Sequence, residues 1–323
     1  MLDKELFLPV LRDGKYGFID KNKNMIIKPR FKYVSDRFRE GYCIVTYIKK
    51  IRKSIRWVFG YIDTKGNVQL FLHLESASDF HEGLSRIKVD GKYGYIDREL
   101  NEVIQPRFDS AANFREGLSG IKLNKRWGFI NRSGDIEIEP MYTYVNQFFE
   151  GRALVEFKNK YGYIDKLGKD IIYPQFDIAT DFSEGLAAVR LNDKWGYIDK
   201  SGKLKIDFEF DKAKPFFEGL ASICIGEKWG YIDKSGKIII EPRFDYACNF
   251  SDGLARFNMG SNSLSRGASI AKGGVWGFIN KSGCVEIIPM FDSISDFEGG
   301  YAQVMDGNNS NYIDKKGKLI LSH

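Results

Sequence analysis

The stretch Lys228-Trp229-Gly230-Tyr231-Ile232-Asp233-Lys234-Ser235-Gly236-Lys237-Ile238-Ile239-Ile240-Glu241-Pro242 decides the fold, because variants of it recur along the whole chain. The aromatic residue before the first glycine marks each copy. The markers are Tyr16, Phe59, Tyr93, Trp127, Tyr161, Trp195, Trp229 and Trp276, and Ser310 marks a ninth copy that lacks both the aromatic residue and the glycine. The spacing is 34 residues apart from two longer steps of 43 and 47. A constant period of this length is typical of repeat architectures.

Each copy predicts three short strands. In the sixth copy they are residues 186–191, 195–199 and 203–206, separated by turns rich in Gly, Asn, Asp and Lys. Short aromatic and β-branched runs joined by such turns are typical of an antiparallel meander. Helical periodicity is absent over any useful length. The sequence therefore predicts an all-β fold of nine three-stranded antiparallel units of about 34 residues, each followed by an irregular return connection.

Both faces of each unit are apolar. An isoleucine three residues after the marker is present in all nine copies, and alternation along the strand places it opposite the aromatic residues. Neighbouring repeats must therefore cover both faces. The units can stack into an open superhelical, solenoid-like array or form a β-propeller. We favour the open array over the propeller, because no offset strand is evident that would latch a ring, and we expect one domain over residues 1–323.

The recurring polar and glycine positions have structural interpretations. Asp or Asn follows the isoleucine in every copy, as at Asp199 and Asp233, where its side chain can accept a backbone N–H two residues on in a tight turn. A proline that follows the marker glycine by twelve residues in six copies is expected to end the third strand. The positions that we assign to the repeat framework include four tryptophans and the glycines after them: Trp127, Trp195, Trp229, Trp276, Gly128, Gly196, Gly230 and Gly277.

Two hairpin insertions and the charge distribution have two interpretations: lengthened, solvated hairpins, or contacts for a partner. Residues 1–60 contain 15 Lys/Arg and 6 Asp/Glu, a net charge of +9, whereas the rest of the chain has a net charge of −3. The long steps place insertions at about residues 48–56 and 260–272, in equivalent hairpins of two copies. Insertions in repeat proteins map to loops, often on the binding face. The candidate partner-binding residues are therefore basic residues of these hairpins: Lys49, Lys50, Arg52, Lys53, Arg56 and Arg266.

The residues that would support catalysis are sparse. The chain has three histidines and four cysteines, and neither type forms a motif with metal-ligand or nucleophile spacing. We expect no catalytic residue, no metal site and no cofactor, and we expect the cysteines to be free and mostly buried thiols. The absence of a long apolar run and of a signal peptide favours a cytoplasmic protein without membrane insertion, with a secreted or effector form left open.

The phrases Lys-Trp-Gly-Tyr-Ile-Asp-Lys-Ser-Gly-Lys at 194–203 and 228–237, with Glu-Gly-Leu-Ala at 184–187, resemble the bacterial WG repeat family, also called KWG repeats. The resemblance covers nearly the whole chain. It implies a binding or structural module.

These observations favour a non-enzymatic, monomeric scaffold that binds a protein partner. One alternative is a carbohydrate or cell-surface binding module, in which exposed Trp and Tyr rings stack on sugars. A more remote alternative is that the N-terminal basic hairpin contacts nucleic acid or another acidic partner. An enzyme is disfavoured, because no convergent set of His, Cys and acidic residues is present.

Overall fold

The computed structural model describes residues 8–20, 24–35, 37–51, 54–71, 73–260, 274–307 and 309–322. All regular secondary structure in these residues is β-strand, which confirms the all-β class. The strands form nine small antiparallel sheets, and we call these sheets blades 1–9 in chain order.

Blade 1 consists of β1 (Leu8–Arg12), β2 (Lys15–Ile19) and β3 (Met25–Phe31), and blade 2 consists of β4 (Tyr33–Val34), β5 (Tyr42–Ile51), β6 (Ser54–Asp63) and β7 (Val68–Phe71). Blade 3 consists of β8 (Ser76–Ala77), β9 (Ser85–Val89), β10 (Lys92–Ile96) and β11 (Glu102–Phe108). Blade 4 consists of β12 (Ser110–Ala111), β13 (Ser119–Leu123), β14 (Arg126–Ile130) and β15 (Ile136–Tyr142). Blade 5 consists of β16 (Tyr144–Phe149), β17 (Arg152–Phe157), β18 (Lys160–Ile164) and β19 (Asp170–Phe176). Blade 6 consists of β20 (Ile178–Ala179), β21 (Leu186–Leu191), β22 (Lys194–Asp199) and β23 (Leu204–Phe210). Blade 7 consists of β24 (Lys212–Ala213), β25 (Leu220–Ile225), β26 (Lys228–Asp233) and β27 (Ile238–Phe244). Blades 8 and 9 consist of β28 (Tyr246–Ser251), β29 (Leu254–Met259), β30 (Val275–Asn280) and β31 (Val285–Phe291); and β32 (Ser293–Ile294), β33 (Tyr301–Asp306), β34 (Asn309–Asp314) and β35 (Leu319–Ser322).

Blades 2–9 have four strands, one more than the sequence predicts. The additional strand comes first in each blade and is often only two residues long, as in Ser110–Ala111. It lies in the stretch expected to be an irregular return connection. A single residue, such as Asp109 between blades 3 and 4, joins it to the last strand of the preceding blade, except between blades 2 and 3.

The fold is the propeller that the sequence left as the alternative, since four-stranded antiparallel meanders linked in this way are propeller blades. The expectation of an open superhelical array is wrong. It counted three strands in each unit and treated the return segment as irregular, whereas that segment supplies the first strand of the next blade.

Contacts divide the chain into two compact units, residues 1–148 with 166–168 and residues 149–165 with 169–323. Blades 1–4 lie in the first unit and blades 6–9 lie in the second. The assignment of residues 1–323 to one domain stays a prediction.

The hydrophobic core lies between successive blades. One cluster of buried side chains contains Tyr95 and Ile104 of blade 3 together with Ile121 and Ile130 of blade 4. The ring of Tyr95 also packs edge to face against Phe114, with centroids 4.9 Å apart. The Tyr95 hydroxyl donates to the Ala112 carbonyl at 2.7 Å, and burial raises the pKa of Tyr95 to about 12. Each blade therefore uses one face toward the preceding blade and the other toward the next, as the two apolar faces predict.

The marker glycine allows a bulge in the last strand of the blade. In blade 4, Trp127 pairs with Tyr142 but Phe129 pairs with Ile138, so the last strand has two extra residues at this point. Pro140 lies inside this strand, and the expectation that proline ends it is wrong; proline is tolerated at a bulge because no ladder donor is needed there. A Cβ on Gly128 would lie 2.7 Å from the Pro140 nitrogen.

Two copies separate the effect of the glycine from that of the proline. Blade 2 lacks the proline in β7, and its ladder is regular, with Gly60 opposite Leu70. Blade 6 has Phe208 in place of the proline, yet it keeps the bulge. The marker glycine thus lies close to the backbone of the last strand in both the regular and the bulged ladder, whereas the bulge does not require the proline.

Recurring acidic residues join successive blades. The Glu150 carboxylate accepts a hydrogen bond from Gly185 N at 3.0 Å and forms an ion pair with Lys200 at 2.9 Å, and both partners belong to the next repeat. The corresponding carboxylate–glycine bonds are Glu40 to Gly83, Glu82 to Gly117, Glu184 to Gly219, Glu218 to Gly253 and Asp252 to Gly300. Burial raises the pKa of Glu150, but the hydrogen bonds and the charge of Lys200 outweigh burial and hold that pKa below its ordinary value of 4.5.

We expect Gly128→Ala to lower the free energy of unfolding by about 3 kcal/mol, because the new Cβ meets backbone atoms that cannot move without breaking the ladder. Gly120→Ala in the same blade is the control. Its Cβ would meet the Val145 side chain at 3.1 Å, which can shift, so we expect a loss below about 1 kcal/mol. Urea unfolding of the two variants measures the difference, and equal losses would contradict the close-approach argument.

We expect Glu150→Gln to weaken the acid dependence of stability. A lowered folded-state pKa stabilises the native protein above the unfolded pKa, and this contribution disappears as the pH falls through the folded pKa. Between about pH 5 and about pH 3 the melting temperature of Glu150→Gln should therefore fall less than that of the wild type. Glu139→Gln removes a carboxylate that is exposed, and it should match the wild type. An unchanged acid profile in Glu150→Gln would contradict a stabilising role for this carboxylate.

Candidate functional site

The recurring Asx residues are engaged in turns. Asp199 Oδ1 accepts hydrogen bonds from the backbone N–H groups of Ser201 at 2.9 Å and Lys203 at 3.1 Å. Asp233 makes the same contacts in the next copy. The hydrogen bond from the Ser201 hydroxyl is the main cause that lowers the pKa of Asp199, and burial opposes it. These carboxylates therefore close local turns.

The described residues contain no group of three or more His, Cys, Asp or Glu side chains that could hold a metal ion. The four cysteines are free thiols: Cys43, Cys224 and Cys248 are buried, and Cys284 is exposed. Burial raises the pKa of the Cys224 and Cys248 thiols, which disfavours the reactive thiolate. Within the described ranges, no helix is both long enough and apolar enough to span a bilayer.

The first insertion lengthens the hairpin β5–β6, and we call its residues 47–58 the long hairpin. Both strands have ten residues, whereas the equivalent strands β13 and β14 of blade 4 have five each. Four residue pairs extend beyond the ladder of an ordinary blade, which adds roughly 13 Å along the strands. Lys49 pairs with Arg56 and Lys50 pairs with Ile55 in this extension. The structure thus brings three of the six candidate basic positions together, while Arg52, Lys53 and Arg266 lie outside the described residues.

The long hairpin also presents an exposed apolar pair that sequence reasoning did not single out. Ile48 and Trp57 are direct cross-strand neighbours, and their side chains are 46% and 53% exposed. One residue closer to the blade, Val58 is buried. The length of the insertion could have revealed this exposed pair from the sequence, because residues added beyond an ordinary blade have no neighbouring blade to cover them.

The marker tryptophans are poorly placed for stacking on a sugar. Trp229 and Trp276 are 3% and 8% exposed, and Trp127 and Trp195 are half-buried. The carbohydrate alternative requires a stripe of exposed rings. Burial instead fits the role of these tryptophans as framework residues.

A cavity of about 460 Å³ lies at the contact of blades 7, 8 and 9. Its wall includes Lys214, Tyr246 and Trp276, together with Arg256 and Asp296. Arg256 Nε and Asp296 Oδ1 form an ion pair at 2.6 Å. No local sequence pattern predicts this cavity, because its lining residues come from three blades.

Solved structures with the same fold include the crystal structure of the eukaryotic initiation factor, with a TM-score of 0.64 and 10% identity, covering 99% of this chain and 96% of that one. Kluyveromyces lactis Hsv2 gives a TM-score of 0.45 at 7% identity, covering 78% of this chain and 98% of that one. PorZ of Porphyromonas gingivalis gives a TM-score of 0.33 at 11% identity, with 100% and 51% covered. At such identities the first match shows the fold alone. No curated protein matches the sequence.

The family profile described as the WG containing repeat matches eight segments of the chain. They are residues 16–47, 59–93, 93–127, 127–161, 161–195, 195–229, 229–262 and 276–309. The matched segments follow the markers from the first copy to the eighth. The chain therefore belongs to the WG repeat family.

Proposed function

We propose that this protein is a non-enzymatic scaffold that binds a protein partner through the long hairpin of blade 2. The exposed Ile48–Trp57 pair carries the proposal. Tryptophan is enriched among the residues that dominate protein interfaces, since a large ring buries much apolar area at little entropic cost. An exposed tryptophan beside an exposed isoleucine, at the base of the long hairpin, is a suitable anchor.

The charge of the hairpin indicates the kind of partner. Residues 49–56 contain Lys49, Lys50, Arg52, Lys53 and Arg56 and no acidic residue. Such a segment steers an acidic surface toward the anchor and raises the association rate. The partner we propose is therefore a protein with an apolar pocket bordered by Asp and Glu.

The recurrent polar residues support a binding role over catalysis. The Asx side chains close turns, and acidic residues such as Glu150 join blades, so both sets have structural partners. A scaffold of this kind requires no cofactor. We propose that it acts as a monomer in the cytoplasm, where free thiols such as Cys43 and Cys224 stay reduced.

We expect Trp57→Ser to abolish capture of a specific protein by the immobilised chain, without lowering the melting temperature, because the ring is exposed. Ile288→Ser is the matched control: it removes an apolar side chain that is 67% exposed on β31, and it should retain the partner. Quantitative mass spectrometry of proteins bound from an extract of the source organism identifies the candidate partner.

Direct titration with the purified candidate partner then gives the Kd of each variant. A candidate that binds Trp57→Ser as tightly as wild type would contradict the hairpin as the site, and failure of any purified protein to bind would contradict the scaffold function.

We expect Lys49→Gln with Lys50→Gln to slow association with that partner while leaving dissociation nearly unchanged. Removal of two charges at an interface rim affects steering more than the packed contact. Stopped-flow association at about 50 mM and about 300 mM salt should show a weaker salt dependence in the double variant than in the wild type. An equal salt dependence would contradict electrostatic steering, and preferential binding of RNA or DNA by the wild type would favour the nucleic-acid alternative.

A further inference from the structure

The hairpin of blade 2 has a ladder that is longer than the strands beside it. Residues 42–51 of β5 pair with residues 54–63 of β6 without a register shift. On the side of β6 that faces away from β5, β7 pairs with residues 59–62 only. On the opposite side of the hairpin, β4 pairs with residues 45 and 46 of β5 only. Among the described residues, no strand therefore pairs with residues 54–58 on the free side of β6 or with residues 47–51 on the free side of β5.

The ladder determines which backbone groups these two edges present. In an antiparallel pair, residues that bond across to the partner strand alternate with residues whose N–H and C=O groups point away from it. Thr46 is of the second kind, since its carbonyl accepts a hydrogen bond from the Lys32 N–H at 2.9 Å, outside the hairpin. Because the ladder continues without a shift, Ile48 and Lys50 also direct their N–H and C=O groups away from β6.

The free edge of β6 combines such backbone groups with the exposed anchor of the proposed interface. Trp57 and Ile55 are the cross-strand neighbours of Ile48 and Lys50, so their N–H and C=O groups point away from β5. The Trp57 side chain is 53% exposed. A single extended segment on this edge can therefore bond to the backbone of Trp57 and cover its ring.

The charge of the hairpin selects the kind of segment that fits. Residues 49–56 include five basic residues and no acidic residue. A second copy of this edge would place like charges side by side, and lysines on an edge strand are a common means of preventing self-association. An acidic segment instead has the complementary charge, and opposite charges on adjacent strands attract each other.

We propose that the partner binds by strand addition, placing an extended acidic segment along residues 54–58 of β6. This inference rests on the proposed function and specifies how the partner binds. The segment exchanges hydrogen bonds with the N–H and C=O groups of Ile55 and Trp57, and an apolar residue of the segment covers the Trp57 ring. Main-chain bonds of this kind supply affinity in strand addition, and side chains supply specificity. No covalent step is involved.

The first test is calorimetric titration of the full chain with three synthetic peptides. They are acetyl-(Glu-Val)4-amide, acetyl-(Lys-Val)4-amide and acetyl-(Glu-Pro)4-amide, so the second reverses the charge and the third keeps the charge but lacks alternate N–H donors. We expect the first to bind with a Kd below about 1 mM and the other two to bind at least tenfold more weakly. No binding of the first peptide, or equal binding of the proline peptide, would overturn the proposal.

The second test removes one backbone donor from each edge. Ile55→Pro deletes an N–H on the free edge of β6, and Lys50→Pro is the matched control, because it deletes the equivalent N–H on the free edge of β5. Proline is tolerated where an edge N–H points to solvent, so both variants should stay folded, as the melting temperature verifies. We expect Ile55→Pro to weaken binding of the (Glu-Val)4 peptide at least tenfold and Lys50→Pro to weaken it less than threefold. Equal effects of the two variants would overturn the assignment to β6.

Hydrogen exchange of the wild type gives a readout that requires no variant. The amides of Ile55 and Trp57 should exchange more slowly when the (Glu-Val)4 peptide is bound, whereas those of Ile48 and Lys50 should not change. Protection of the second pair instead of the first would overturn the assignment to β6.

Titration with the purified partner separates this inference from the proposed function. Loss of binding in both Trp57→Ser and Ile55→Pro is the expected result and supports both. Loss in Trp57→Ser with wild-type affinity in Ile55→Pro would overturn strand addition and leave the hairpin as the binding site. Wild-type affinity in Trp57→Ser would overturn the hairpin site itself, and strand addition with it.

Discussion

A single blade of this protein cannot cover either of its own apolar faces, and this constraint governs the rest of the structure. The middle strand presents an aromatic residue to one side and an isoleucine to the other, as with Tyr95 and Ile96, and both are buried. A three- or four-stranded meander has no second layer of its own, so only the adjacent blades can bury these side chains. The recurrent polar residues also join neighbouring blades. Glu150, for example, contacts the Gly185 backbone N–H and the Lys200 side chain of the following repeat. The repeat is therefore a pattern of contacts between neighbours as much as a pattern within one unit.

This constraint explains which parts of the fold could be predicted. Positions that serve a local purpose, such as the Asx turn at Asp199, are readable because their partners lie within four residues. The alternation of apolar residues is readable for the same reason. The first strand of each blade is not readable, since two residues such as Ser110 and Ala111 form a strand only through pairing with β13 after the chain has folded back. The sequence therefore predicted three-stranded units where the structure has four-stranded blades. Pro140 was wrongly predicted to end its strand, because the bulge that accommodates it is defined by the opposing Gly128.

The candidate sites were less predictable from the sequence than the fold. The basic candidates came from charge and insertion length, which locate a lengthened hairpin but do not reveal which side chains remain uncovered. Exposure of Trp57 results from the absence of a neighbouring blade at that height, and no local pattern distinguishes it from a core tryptophan such as Trp229. The cavity of blades 7–9 was unpredictable for a different reason. Its lining residues come from three blades, and no local pattern in the sequence brings them together.

The proposed hairpin interface lies where the sequence departs from the repeat, and physical reasoning indicates why. A residue present in every copy is held by the requirement to join one blade to the next, so it cannot also be adapted to one ligand. Departures are free of this requirement. Exposure of Ile48 and Trp57 leaves apolar area in water, a cost that a protein partner can remove. The long hairpin therefore selects a molecule that supplies apolar cover.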